Sequence, residues 1–287
     1  MFGGIEVKRT RVELLGGLGN QLFGYFAGMA HSLIFDKQIE FNLAGTNESL
    51  STNETIKAIE IPGQFCVKAA PSRLMQKLNP KYFVAKDVGF EKSILLEKRF
   101  TSINGYFQSY EYFEVFKENF PTWVPKLKSY SENFLPAKQE IVKSHENISI
   151  HLRRGDYRKL QNSFGLLDYK YYIDCVSDAT TRFGDSKIII FGDEDEENKV
   201  LNLALQERGY DSRVFKHQKD MPNFESILLM SYCTINIISN STFGWWGARF
   251  NADPKAVYAP SKWFKTLKDP ERLIPSDWIC IDSVWIS

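Results

Sequence analysis

The chain has no dominant sign of charge. Its 287 residues include 36 lysines and arginines against 35 aspartates and glutamates, a formal net charge of +1. Without a basic field it cannot hold nucleic acid or an anionic membrane nonspecifically, so any anion must be bound by a local set of donors. Cysteine is scarce too. The four, at positions 66, 175, 233 and 280, form no CxxC pair, which argues against zinc and against a disulfide framework and fits a reducing compartment. No apolar run approaches the roughly 18 residues that a membrane span needs. The opening "MFGGIEVKRTRVELLGGLGNQ" carries Glu6, Lys8, Arg9 and Arg11 where a secretory signal needs an apolar block. In the absence of such a signal, the Asn-x-Ser/Thr acceptors at Asn47, Asn53, Asn147 and Asn240 read as coincidences. Internal repeats and low-complexity tracts are absent as well.

What the sequence does have is apolar material, 43% hydrophobic and 14% aromatic, enough at this length for one large core or two ordinary ones. From residue 144 onward, runs rich in β-branched residues alternate with helical spacing. "NISIHL" reads as a strand and "YKYYIDCVSDATTRFG" as a helix closed by glycine; "KIIIFGDE" has the continuous apolar character of a strand covered on both faces. "NKVLNLALQERGY", capped at Gly209, is followed by "SRVF", "NFESILLMSYC", "TINIIS", "STFGWWGARF" and "AVYAP" as strand, helix, strand, helix and strand. This alternation predicts an α/β fold with a doubly wound parallel sheet.

The first half contains one clear strand-turn-helix unit. "RVELLG" is the strand, and Leu22, Phe23, Phe26, Ala27, Ala30, Leu33 and Ile34 fall on one helical face after the turn. "GYFQSYEYFEVFKENF", Gly105 to Phe120, predicts an aromatic-rich helix. Pro121, Pro125 and Pro136 mark a connecting region, which divides the chain into domains 1–140 and 141–287.

Ligands of a parallel sheet collect where strands end and helices begin, because unpaired N–H groups point outward there. Three unusual loops occupy such positions. "GGLGNQLF" offers Gly17 and Gly19 for a close backbone approach and Asn20 and Gln21 as polar side chains; the same glycines would also serve a plain tight turn. "HLRRGDY" puts His151 and Arg153 on one side of a strand and Arg154 on the other, so the arginines need different partners. One can pair with Asp156 while the other meets an anion, for which a guanidinium is well shaped; a purely structural ion pair is the competing reading. In "IISNSTFGWWGARF" the residues Ser239 to Thr242 can cap a helix or receive a phosphate at its N-terminus, while Trp245 and Trp246 read as core. A fourth strand end, "IIIFGDEDEEN", supplies Asp193 as an acceptor for a ribose or guanine edge. Glu196 and Glu197 supply negative charge to the helix start there.

Taken together, "GGLGNQLFGYFAGMA", "NGYFQSYEYF", "IHLRRGDY", "IFGDE", "NIISNSTFGWWGA", "VYAPSKWF" and "PSDWICI" resemble the bacterial-type α-1,2-fucosyltransferases, in order and spacing, from Leu15 to Ile281. The resemblance implies a GT-B architecture of two Rossmann-like domains facing across a cleft, with acceptor binding assigned to the N-terminal domain and GDP-L-fucose to the C-terminal one. It implies inverting transfer of fucose to the 2-hydroxyl of a β-galactoside in an oligosaccharide, with no metal or other cofactor. By position, Arg153 would bind the diphosphate and Arg154 and Asp156 would shape its loop, with Arg154 counted among the donor-binding residues. His151 and Asp193 would lie near the guanosine. Ser241, Thr242 and Phe243 would face the phosphates, and Asn20, with Gly17, Gly19 and Gln21 around it, would sit near the β-phosphate and fucose. Arg153, Asn20 and Asp156 are the candidate catalytic residues, and Asp156 is one of several candidates for general base. A transferase using another GDP-sugar or making another linkage, and a non-catalytic GDP- or glycan-binding module, are the alternatives. The expected location is cytoplasmic or peripheral on the cytoplasmic membrane face; no pattern specifies an oligomer.

Overall fold

The computed structural model describes residues 9–46, 55–60, 64–68, 78–119, 126–144, 146–218 and 221–286. Two compact units emerge, Met1–Lys128 with Pro270–Ile274, and Ser129–Asp269 with Pro275–Ser287. The division at 128/129 precedes the 140/141 boundary expected from the prolines. Its cause is Ser131, whose N–H and Oγ both donate to the buried Glu225 carboxylate at 2.6 Å, tying the connecting segment to the second unit.

The first unit contains a five-stranded parallel sheet in the order β4-β2-β1-β6-β5. Its strands are β1 (Arg9–Glu13), β2 (Gln38–Asn42), β4 (Gln64–Cys66), β5 (Tyr82–Val84) and β6 (Ser102–Asn104). A two-residue antiparallel ladder joins β3 (Ile59–Glu60) to β7 (Lys126–Leu127). Helix α1 (Leu18–Phe35) follows β1 and buries most of its length, as its apolar spacing predicts. Helix α2 (Tyr110–Asn119) packs on it, with Phe26 and Phe113 meeting edge to face at 4.9 Å. The helix expected from Gly105 thus begins five residues later. Phe107 has φ of 52°, a left-handed conformation that no α-helix contains. The expected end at Phe120 and the prolines 121 and 125 lie outside the described residues.

The second unit follows the predicted alternation closely. Strands β8 (Asn147–Leu152), β9 (Lys187–Gly192), β10 (Ser212–Val214), β11 (Ile235–Ile237), β12 (Ala256–Pro260) and β13 (Ile279–Ile281) form one parallel sheet in the order β10-β9-β8-β11-β12-β13. Helices α3 (Phe134–Lys143), α4 (Tyr169–Phe183), α5 (Asp195–Gln206), α6 (Asn223–Ser231) and α7 (Thr242–Arg249) complete it. Isoleucines 148, 150, 188, 190, 235 and 237 form the centre of the core with Tyr171, Tyr172 and Val176. Trp245 and Trp246 are fully buried, as expected for core residues.

Each sheet has a point where strand order reverses. The chain leaves β8 through β9 to β10 on one side, then returns to lay β11, β12 and β13 on the other. In the first unit the reversal falls between β1 and β6. Helices on either side of such a point diverge, opening a crevice beyond the carboxyl ends of the two strands.

Among the described residues, no helix is long and apolar enough to cross a membrane. Two of the Asn-x-Ser/Thr positions, Asn147 and Asn240, are 1% exposed; Asn47 and Asn53 lie outside the described residues. Asn147 knits three segments: its Nδ2 donates to the Ile141 and Ser144 carbonyls at 2.7 and 2.9 Å, and its Oδ1 accepts from the Thr234 N–H at 2.8 Å. Replacing it by alanine strands these buried groups. Asn147→Ala should therefore lower stability by roughly 2–3 kcal/mol, read as a fall in the urea midpoint.

Candidate active site

The reversal between β8 and β11 sets the site of the second unit. His151, on β8, holds Ser239 Oγ at 2.9 Å through Nδ1 just past the end of β11, so one hydrogen bond bridges the point where the strands part. The imidazole stacks on Phe243 at 5.4 Å and 27°. Gly244 makes this approach possible, since a Cβ there would lie 2.7 Å from the imidazole. Burial, with help from the Arg153 charge, lowers the His151 pKa to about 3. The ring is neutral at any working pH.

Beyond these strand ends lies a cavity of about 280 Å³ lined by His151, Arg153, Asp193, Asp195, Phe243 and, on the far side, Phe191, Phe215, His217, Asn223 and Ser226. Small-molecule sites run from about 300 to 1,000 Å³, so this cavity lies at the small end of that range. Two aromatic pairs form its walls: His151 on Phe243, and Phe191 stacked on Phe215 at 4.8 Å. Polar groups of both kinds sit between them, Asp193 and Asp195 as acceptors and Asn223, Ser226 and His217 as mixed partners. His217 Nδ1 and Ser226 Oγ are 3.1 Å apart.

The adjacent arginines do meet different partners. Arg153 reaches the cavity, where its Nη1 donates to Asp193 Oδ2 at 2.6 Å, its Nη2 to Asp156, and its guanidinium lies over the Tyr157 ring at 5.2 Å. Its Nε has no partner among the described residues. Burial raises the Asp193 pKa although Arg153 opposes the shift. Asp156 is exposed and serves the arginine from the loop. Arg154, expected among the donor-binding residues, turns inward instead of toward the cavity. It is 0% exposed, its Nε donates to Glu197 Oε2 at 2.9 Å, its Nη1 donates to the Arg153 carbonyl at 3.1 Å, and its ring partner is Tyr169 at 5.1 Å. The Arg154 N–H completes the arrangement by donating to Asp193 Oδ1 at 2.9 Å.

Glu197 was expected to serve only the helix start. It also accepts from Tyr169, Arg154 and Arg158; burial alone would raise its pKa, but these hydrogen bonds hold it at about 2. Glu196 has the solvent-side role, pairing with Lys199 at 2.6 Å. Ser241 caps α7, accepting the Phe243 N–H at 3.4 Å, with Thr242 half-buried beside it. The cavity residues Phe215, His217, Asn223 and Ser226 were missed. Their one signal was position, directly after a strand and at the start of the next helix. Among the described residues no cluster of three or more His, Cys, Asp or Glu is disposed to hold a metal ion.

In the first unit, the glycine loop opens α1 with Gly17 at the N-cap, where no side chain caps the helix. Gly16 takes φ of +64°. Gln21 is fully buried and structural, donating to the Gly16 carbonyl at 2.8 Å and accepting the Ile56 N–H at 3.0 Å. Asn20 Oδ1 accepts from Gln108 Nε2 at 3.0 Å.

Comparison with known proteins gives a consistent result. The profile of glycosyl transferase family 11 matches residues 8–281. An α-1,2-colitosyltransferase of Escherichia coli is 28% identical, over 94% of this chain and 98% of its own. The O-antigen biosynthesis glycosyltransferase WbnK of Escherichia coli is 32% identical over 50% of this chain and 47% of its own. Among solved structures, POFUT1 in complex with GDP-fucose superposes with a TM-score of 0.54 at 10% identity, covering 90% of this chain and 98% of that one. NodZ α-1,6-fucosyltransferase soaked with GDP-fucose gives 0.51 at 10% identity, covering 92% and 100%. The fold is α/β of the GT-B type, with two Rossmann-like units.

Two outcomes follow from the site's electrostatics. A histidine buried in neutral form must give up its proton on folding, so stability is complete above the ordinary pKa of 6.5 and falls as pH drops toward about 3. Between pH 7 and 5 this loss should reach about 2 kcal/mol in the parent protein, and urea titrations of His151→Gln should show a flatter profile. Removing Glu197 leaves Arg154 buried without its counter-charge. Glu197→Ala should cost roughly 3–5 kcal/mol, whereas Glu194→Ala, which breaks an exposed pair with Arg158, should cost about 1 kcal/mol or less; equal effects would contradict a buried, carboxylate-dependent Arg154.

Proposed function

We propose that this chain, which belongs to glycosyl transferase family 11, transfers L-fucose from GDP-L-fucose to the 2-hydroxyl of a terminal β-galactoside, with inversion and without a metal ion. The observation that carries the reading is Arg153: a guanidinium held at the cavity rim by Asp193 and Asp156, with its Nε unpaired among the described residues. The cavity offers aromatic faces for a planar base and polar groups for its edges. A diphosphate leaving from fucose gathers charge as the glycosidic bond breaks. Fixed donors already oriented toward that charge stabilise it without reorganising, and such stabilisation commonly supplies more of an enzyme's rate enhancement than any other effect.

On this reading the metal is dispensable because Arg153 and the N-terminus of α7 supply the positive potential. The Asp193 carboxylate has a second part, since each of its oxygens keeps a lone pair for a ribose or base hydrogen bond while it orients Arg153. Arg154 acts only through the loop.

A second donor has support because the Escherichia coli relative matched over nearly its whole length is named for colitose. Colitose is fucose without its 3-hydroxyl, so the nucleotide contacts would be unchanged and the choice would rest on the sugar. Incubation with GDP-fucose, GDP-colitose or GDP-mannose, each with lactose, followed by mass and linkage analysis, separates these donors and linkages. A fucosylated product carrying an α-1,2 linkage, formed equally well in EDTA, is the expected result; binding of GDP with no transfer from any donor points to a binding module. Arg153→Ala, checked for folding, should lower kcat by roughly 10²- to 10³-fold. Activity near that of the parent protein would remove Arg153 from the mechanism.

A further inference from the structure

The first unit has a reversal of its own between β1 and β6. After β1 the chain enters α1, whose N-terminus has no side-chain cap. After β6 it passes through residues 105–109, where Phe107 has φ of 52°. A left-handed conformation is unfavourable for a bulky residue and persists only where its surroundings enforce it. The ring is fully buried, stacked near Phe83 and edge-on to Tyr112. Gln108, next in the chain, is turned inward.

Gln108 is 7% exposed. Its backbone N–H donates to the Val88 carbonyl at 2.7 Å, and its Nε2 donates to Asn20 Oδ1 at 3.0 Å. Its Oε1 is buried and has no partner among the described residues. A carboxamide that served only to brace Asn20 would gain nothing from an orphaned carbonyl, because a buried acceptor left unpaired destabilises the fold. Asn20 is half-buried and its Nδ2 has no hydrogen-bond partner among the described residues. Gly16 leaves it room, since a Cβ there would lie 2.9 Å from Nδ2. The two linked amides therefore present one unused acceptor and one unused donor at the reversal point, beside an uncapped helix.

We infer that Gln108 and Asn20 together form a binding site for a sugar hydroxyl in the first unit. A hydroxyl both donates and accepts, so it satisfies Gln108 Oε1 and Asn20 Nδ2 together. A phosphate oxygen only accepts. It would meet the Asn20 amide but leave Gln108 Oε1 facing another electronegative atom. This assigns Asn20 to sugar rather than to the β-phosphate and makes Gln108 a substrate-binding residue. The inference rests on the glycosyl-transfer reading above; the hydroxyl belongs either to the sugar of the donor or to the acceptor.

Gln108→Met keeps the side chain's length while removing both polar groups. Expected are an unchanged or raised melting temperature, GDP affinity within twofold of the parent by calorimetry, and kcat/KM for transfer lowered at least 30-fold. Single deoxygenated substrates identify the hydroxyl: one deoxy-lactose, or the 3-deoxy donor GDP-colitose, should react at least tenfold more slowly than its parent with wild-type enzyme and less than twofold more slowly with the variant. A variant within threefold of wild type, a loss of activity matched by a loss of melting temperature, or discrimination unchanged for every deoxy substrate overturns the inference. If wild-type protein transfers nothing from GDP-fucose to lactose, it is the functional reading that fails. Ligand-observed NMR titration with methyl β-galactoside and methyl α-fucoside then decides this site: tenfold weaker binding of one of them by Gln108→Met supports it, and equal binding of both overturns it.

Discussion

A parallel sheet that grows outward in both directions from one early strand must separate its covering helices at one place. In the second unit that place is the edge between β8 and β11, and the His151–Ser239 hydrogen bond crosses it. The rest of the site follows. Because the helices part there, the loops after β8, β9 and β10 can turn their side chains into a common hollow. The first unit repeats the constraint between β1 and β6, where Asn20 and Gln108 meet from segments 88 residues apart. One geometric rule thus organises the polar residues of both halves.

Within that frame, burial sorts two identical neighbours into opposite roles. Arg153 and Arg154 are adjacent in the loop that follows β8, and they point in different directions, one to the cavity and the other into the protein. The interior arginine is held by a carboxylate, an aromatic ring and a backbone carbonyl, and its own N–H fixes Asp193. Asp193 then orients Arg153. The half-buried Arg153 guanidinium is consequently positioned by a chain of contacts anchored in the core, which is the kind of support that keeps a functional group from wandering.

The sequence was most legible where apolar runs were continuous. "NISIHL" became β8 residue for residue, and "KIIIFGDE" became β9 up to Gly192, two residues short of the run, because strands covered on both faces need β-branched residues throughout. The different partners of the two arginines were expected from strand alternation, but β8 ends at Leu152 and it is the loop after it that parts them. Glu197 was not, since its bond to Arg154 spans 43 positions and an acid in a first helical turn has a sufficient local explanation. Nor did any pattern single out Asn223, Ser226 or His217, whose place in the cavity depends on which strands are neighbours. The start of α2 was misjudged for a local reason, as nothing about phenylalanine at 107 announces a positive φ.

The sequons lead somewhere else. Asn147 and Asn240 each spend their carboxamide on interior carbonyls, with the Asn240 amide donating to Phe164 and Gly165. Oligosaccharyl transfer in a eukaryotic secretory pathway acts on chains still emerging, before such side chains are hidden, and a bulky glycan at either asparagine could not be accommodated afterwards. The two amides sit at opposite ends of the second sheet, Asn147 where β8 begins and Asn240 beyond the end of β11, so glycosylation at either one is incompatible with the folded unit.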